Sequence, residues 1–175
     1  MHKHIFVCAA VLIINAGFIM DGQAKDEPSA QSQTIELHQC KDEGLEISFL
    51  CNPSWALEVE EDVILVVISE EPAVTMTVAR QKTPKRFNEQ LTEDMLKGLG
   101  QYAEGFASLP LVVDGSEAVE VVGSSVGYPD IRLKDYYILK SPYLYSVLFS
   151  VDPASKAFEY DELFKKVIDS FRFVF

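Results

Sequence analysis

The chain has 175 residues, with 27 acidic against 15 basic side chains and a net charge of −12 at pH 7. So acidic a surface repels nucleic-acid phosphates and anionic lipid headgroups, which argues against nucleic acid as a partner. With 48% hydrophobic residues and only three cysteines, the composition suits one domain with a real core and not two.

The first segment reads as a secretory signal. Lys3 opens it, an apolar stretch runs from Ile5 to Met20, and Gly22-Gln23-Ala24 offers the small residues that signal peptidase accepts. A permanent span needs about 20 apolar residues, and this stretch falls short. Cleavage near Ala24 is expected, with a periplasmic or secreted destination and no membrane span in the mature chain. Cys8 lies inside the apolar run and not at its end, which argues against a lipoprotein. Residues 25–33, KDEPSAQSQ, are polar, contain Pro28 and read as a flexible arm, leaving residues 34–175 as a single domain.

Strands fill the next stretch. GLEISFL alternates, with Leu45, Ile47 and Phe49 on one face and Glu46 and Ser48 on the other. ALEVEED alternates through Leu57 and Val59, and the unbroken apolar run DVILVVIS predicts a strand covered on both faces. AVTMTVAR alternates again after a turn at Ser69-Glu70-Glu71-Pro72. A helix is then expected where Phe87, Leu91, Met95, Leu99 and Tyr102 recur at spacings of three and four, fraying at Gly100 and Gly105. Strands resume in LPLVVDGSEAVEVV, where Asp114-Gly115 marks a hairpin because both central positions of a type I′ turn need positive φ. DIRLKDYYILK and YLYSVLFSV follow on either side of Ser141-Pro142. Tyr143, Tyr145, Val147, Phe149 and Val151 share one face of the latter. Asp152-Pro153 reads as the entry to a last helix, whose apolar stripe is Tyr160, Leu163, Phe164, Val167, Ile168 and Phe171. Arg172 to Phe175 leaves it as an extended tail. The order predicts an α+β domain on a mainly antiparallel sheet of about six to eight strands sandwiched by helices.

The stretch GLEISFLCNPSWALEVEED resembles the opening of PsbP-like domains, a strand leading to Pro-x-Trp and a second short strand. YLYSVLFSVDPASKAFEYDELFKKVIDSFRF is similar to the ending of that family and of the DcrB-like periplasmic proteins. The resemblance covers Thr34 to Phe175, and its motifs are packing motifs. It implies an antiparallel sheet between helices and a non-catalytic role as an exported binding or accessory protein holding a protein partner or small ligand. A photosystem-associated accessory protein is the alternative it implies, although the signal and the short arm differ from the photosynthetic members.

Chemistry is scarce beside this. His38 is the one histidine left after cleavage, so a Ser-His-Asp site would need it beside Ser124 or Ser125, and VGSSVG lacks the nucleophile elbow. No catalytic residue is assigned. A carboxylate-based envelope hydrolase, with two acids in a cleft and one of raised pKa, is the enzymatic alternative. Glu58, Glu60, Glu61 and Asp62 are candidate ligands for a weak calcium or manganese ion, against a solvated acidic rim. Trp55 with Pro53 reads as a core plug, and the tyrosines of DYYILK and PYLY read as core packing, with one side of a pocket between sheet and helix as the alternative. Cys40 and Cys51 are the disulfide candidates, because export favours bridging, with two free structural thiols as the alternative. With His38 they fall short of a four-ligand structural zinc site. A tight turn at Asp42-Glu43-Gly44 would pair Cys40 near Glu46 and Cys51 near Ile35, about 17 Å apart, so the bridge requires a looser path.

Overall fold

The computed structural model describes residues 36–82 and 103–174. The expected signal peptide, the arm and the helix expected across Phe87 to Tyr102 lie outside the described residues. Among the described residues, ten strands form two antiparallel sheets: β1 (His38–Asp42), β2 (Ile47–Cys51), β3 (Ala56–Glu60), β4 (Val63–Ser69), β5 (Ala73–Lys82), β6 (Ala103–Val113), β7 (Ser116–Ser125), β8 (Tyr128–Lys140), β9 (Tyr143–Asp152) and β10 (Arg172–Phe173). The main sheet has seven strands in the order β3-β4-β5-β9-β8-β7-β6, and the small sheet is β1-β2-β10. Among the described residues the α-helix is α1 (Asp161–Ser170), which follows a 3₁₀ turn at Ala154–Glu159. The expected α+β class on an antiparallel sheet is what the chain adopts.

Period-2 alternation decides which side chains meet. Paired positions such as Ile64, Val78 and Val147, or Val66, Met76 and Phe149, line up across β4, β5 and β9 on one face. All six are buried. Helix α1 lies on this face through Leu163, Phe164, Val167 and Ile168, with Phe164 stacked on Phe149 at a centroid distance of 4.2 Å. The small sheet adds Ile47 and Phe49 to the same core, and the turn before β2 adds Leu45. Tyr145 on β9 donates its hydroxyl to the Leu45 carbonyl at 2.9 Å, and its ring meets Phe173 at 5.0 Å. Trp55 is buried in this cluster, as a core plug should be.

Several local expectations are corrected. The run DVILVVIS is fully covered on one face only: Ile64 and Val66 are buried, whereas Val63, Leu65 and Val67 are half-buried. Leu57 and Val59 alternate as expected, yet β3 is an edge strand and both stay exposed. Gly105 lies within β6 and does not end a helix. Asp152 closes β9 instead of capping a helix, and α1 begins after Tyr160 without a side-chain cap. The tail after Phe171 is extended, as expected, and it also pairs as a strand, with Arg172 opposite Ser48 and Phe173 opposite Ile47. Asp114-Gly115 forms the expected turn, with φ of 46° and 73° at its two residues.

The β1–β2 register is the correction that matters most. Residues 43–46 all lie in the turn, so it is longer than a tight hairpin. Asp42 accepts the Leu45 N–H at 2.7 Å, and Glu46 takes a left-handed φ of 57°. Cys40 therefore pairs with Phe49 and not near Glu46, while Cys51 pairs with His38 and not near Ile35. The two cysteines become diagonal neighbours, and the 17 Å objection disappears.

Candidate functional site

Side chains able to bind or react lie at three places: a cleft beside α1, the β3–β4 turn with its acids, and the cysteine hairpin.

The cleft lies between α1, which stacks on β9 through Phe164 and is tied to β8 through Asp161, and the neighbouring strands β6 and β7. Register places Leu109, Glu120, Tyr136 and Val147 in one row across β6, β7, β8 and β9, and Leu111, Ala118 and Ile138 in the next. Leu111 and Tyr136 form the floor, Ile168 of α1 forms a wall, and Glu120, Lys134 and Lys165 stand on the rim of a cleft of ≈ 310 Å³. That is near the lower end of the size of small-ligand sites. A smaller cavity of ≈ 130 Å³, over Val122, Phe149 and Phe164, shares Lys134 and Asp161 with it. Those two side chains form an ion pair of 2.5 Å that ties β8 to α1 at the boundary. Burial, together with a hydrogen bond to Glu120, pushes the Tyr136 phenol well above its usual range, so it remains a neutral donor. Leu109, 61% exposed, continues the apolar floor along β6 towards solvent.

One residue along β8, Asp135 faces the other side of the sheet. Burial pushes its carboxyl up to about 6, against the opposing pull of hydrogen bonds from Tyr137 and Ser146, the latter at 2.9 Å. A carboxylate hydrolase needs its raised acid in the cleft beside a second acid. Asp135 is separated from the cleft by the sheet itself, and two cleft acids are occupied, Glu120 with Tyr136 and Asp161 with Lys134.

The acids of the β3–β4 turn do not gather. Glu58 and Glu60 are exposed on β3, on the face opposite Leu57 and Val59, and Glu61 sits in the turn at φ 27°. Asp62 is committed to Arg80, accepting from its Nη2 at 2.7 Å and its Nε at 3.1 Å. Arg80 in turn lies over the Tyr143 ring at 4.5 Å.

The hairpin does gather its side chains. His38 and Cys40 are two apart on β1, hence on one face, and Cys51 directly opposes His38. Cys40 and Cys51 lie at disulfide distance, with Cα atoms 5.9 Å apart, inside the usual bridging range. His38 Nε2 is 3.5 Å from Cys51 Sγ and 3.8 Å from Cys40 Sγ. Among the described residues, this trio is the group of three potential metal ligands whose donor atoms converge, all within 4.8 Å. Counting toward four ligands missed it in the sequence. The His-x-Cys spacing on a strand was the available signal. Ser124 and Ser125 end β7, as a strand end should, while His38 belongs to the small sheet.

No family model matches the sequence, and no curated protein matches it either. Solved structures do match in shape. The Saccharomyces cerevisiae Ran-binding protein Mog1p aligns with a TM-score of 0.55 at 14% identity, over 81% of this chain and 97% of that one. Cyanobacterial PsbP from Synechocystis sp. PCC 6803 aligns at 0.56 and 11% identity, over 87% and 99%. LpqN of Mycobacterium tuberculosis, described as involved in cell envelope biogenesis, aligns at 0.50 and 13%, over 78% and 89%. At such identities the likeness establishes the fold, which is that of PsbP, and not a shared activity.

Proposed function

From the PsbP-like fold and the cleft at the edge of its sheet, we propose that the protein is an exported, non-catalytic binding or accessory protein. It works in the periplasm or outside the cell after cleavage near Ala24, with Cys40 and Cys51 bridged. The cleft and the apolar strip leading from it along β6 hold a protein partner or a small ligand. One observation carries this: an apolar floor of Leu111 and Tyr136, open to solvent beside exposed Leu109, within a rim bearing both charge signs. Apolar contact there supplies affinity, and the Glu120, Lys134 and Lys165 rim supplies orientation. The raised carboxylate lies behind the sheet, so the cleft acids act as hydrogen-bond and ion-pair partners in this account. Likeness to cyanobacterial PsbP supports the accessory class without selecting a photosystem.

The test is photocrosslinking in the native envelope from a photoreactive residue placed at Leu109, compared with one at Val59 on the opposite edge of the sheet. A discrete adduct from Leu109 that is lost when Leu111 is replaced by Asp is expected. Equal adducts from both edges, or adducts indifferent to Leu111→Asp, would overturn the assignment. Intact mass before and after reduction reports the bridge, as a gain of two hydrogens.

A further inference from the structure

We propose that, with the Cys40–Cys51 pair reduced, this hairpin is a binding site for one thiophilic d10 cation, Cu(I) or Zn(II). The ligands are Cys40 Sγ, Cys51 Sγ and His38 Nε2.

The geometry makes the case. Three side chains with metal-ligating atoms converge within 4.8 Å, two of them soft sulfurs and the third an imidazole nitrogen. Two thiolates on one tetrahedral metal at about 2.3 Å stand about 3.8 Å apart, a separation that cysteines with Cα atoms 5.9 Å apart reach by side-chain rotation. The backbone is held independently of the sulfurs. Five consecutive β1–β2 pairs span the site, and β10 flanks β2 on its other side. Around the site, burial differs usefully. Cys51 is 1% exposed and sits in the core, whereas Cys40 is half-buried and His38 exposed. The inner thiolate is thus shielded while the outer two ligands give an ion an entry path. Three protein ligands complete a trigonal Cu(I) site. They also leave one position on Zn(II) for water, on the side where His38 meets solvent.

Bridge and metal are alternative occupants of the same atoms. Opening the disulfide takes two electrons and two protons, supplied by a dithiol that closes to its own disulfide. Loading the cation then displaces the two thiol protons. The proposal concerns the reduced form and does not depend on what occupies the cleft.

The experiment uses the mature chain, reduced and held without oxygen. Cu(I) is delivered from a colorimetric Cu(I) chelator and Zn(II) from a chromogenic chelator, in separate titrations. Co(II) serves as a spectroscopic reporter of thiolate coordination. Saturation at one equivalent of Cu(I) or Zn(II) is expected for the reduced protein, and none for the bridged protein. His38→Ala keeps both thiols and changes an exposed side chain, so its fold is retained. It should weaken binding by at least the roughly 10–100-fold that loss of even an outer-shell partner costs. Binding unchanged in His38→Ala, or equal in bridged and reduced protein, or no saturation at one equivalent of either ion, would overturn the site.

Discussion

Asp135 shows how one buried carboxyl shapes the response to pH. Unfolded, it titrates near 3.8, and folded, burial holds it at about 6. Between those values the folded chain keeps a proton that the unfolded chain has lost, so stability falls as pH rises through the window and levels above it. The loss approaches ~3 kcal/mol at most, given about 1.4 kcal/mol per pH unit of difference. Urea unfolding followed from pH 4 to pH 7 should therefore show a falling midpoint in the parent, and a flatter profile in Asp135→Asn, which keeps an acceptor for Ser146. A slope that persists in the variant would place its origin elsewhere. Asp135 was legible in the sequence only as a charged residue in a strand. Its burial depends on neighbours across the sheet, Ser146 and Tyr137, that no local pattern reveals.

Among the elements, α1 and the edge strand β3 carry opposite weights on the same face of the sheet. Phe164 stacks on Phe149 and is 2% exposed, so Phe164→Ala should cost ~3–5 kcal/mol in chemical denaturation. Val59 points to the same side but is 57% exposed, so Val59→Ala should stay within ~0.5 kcal/mol. A comparable loss at both positions would mean that β3 is covered in solution. Alternation and the 3.6-residue stripe made these strands and α1 legible, because each reports a single buried face. Register was not legible, since it rested on a longer turn fixed by the Asp42 side chain and by Glu46 at positive φ. Nor was β10, whose two residues are too few to show any period and whose pairing is supplied wholly by β2.

For the molecule as a whole, the fold emerged from packing motifs and the function did not. Tyr145 and Phe171 were readable as core because bulky apolar residues recur at structural periods, and Trp55 as a plug beside Pro53. The cleft is lined jointly by β6, β7, β8 and α1, a tertiary fact with no sequence period. The bridge proposed across the hairpin is a global constraint of modest size. Closing so short a loop is worth ~2–3 kcal/mol, which the Cys40→Ser/Cys51→Ser double variant should lose in urea unfolding without losing its folded-state circular dichroism. If the parent loses as much when treated with reductant and the double variant is indifferent to it, the bridge is the cause.

The β2 strand is completed from far along the chain: its Leu50 N–H donates to Ser170 Oγ, 120 residues away, and Phe173 lies opposite Ile47. A polypeptide emerging from a ribosome or a translocation pore amino end first makes the β1–β2 hairpin early and its cover last. Until Phe171 and Phe173 arrive, Ile47 and Phe49 have no roof, and such long-range closure is slow. In that interval Cys51 is as accessible to an oxidant or a metal ion as Cys40. The hairpin is thus made before its cover, and an oxidant reaches Cys51 more readily then than in the finished fold, where Cys51 is buried.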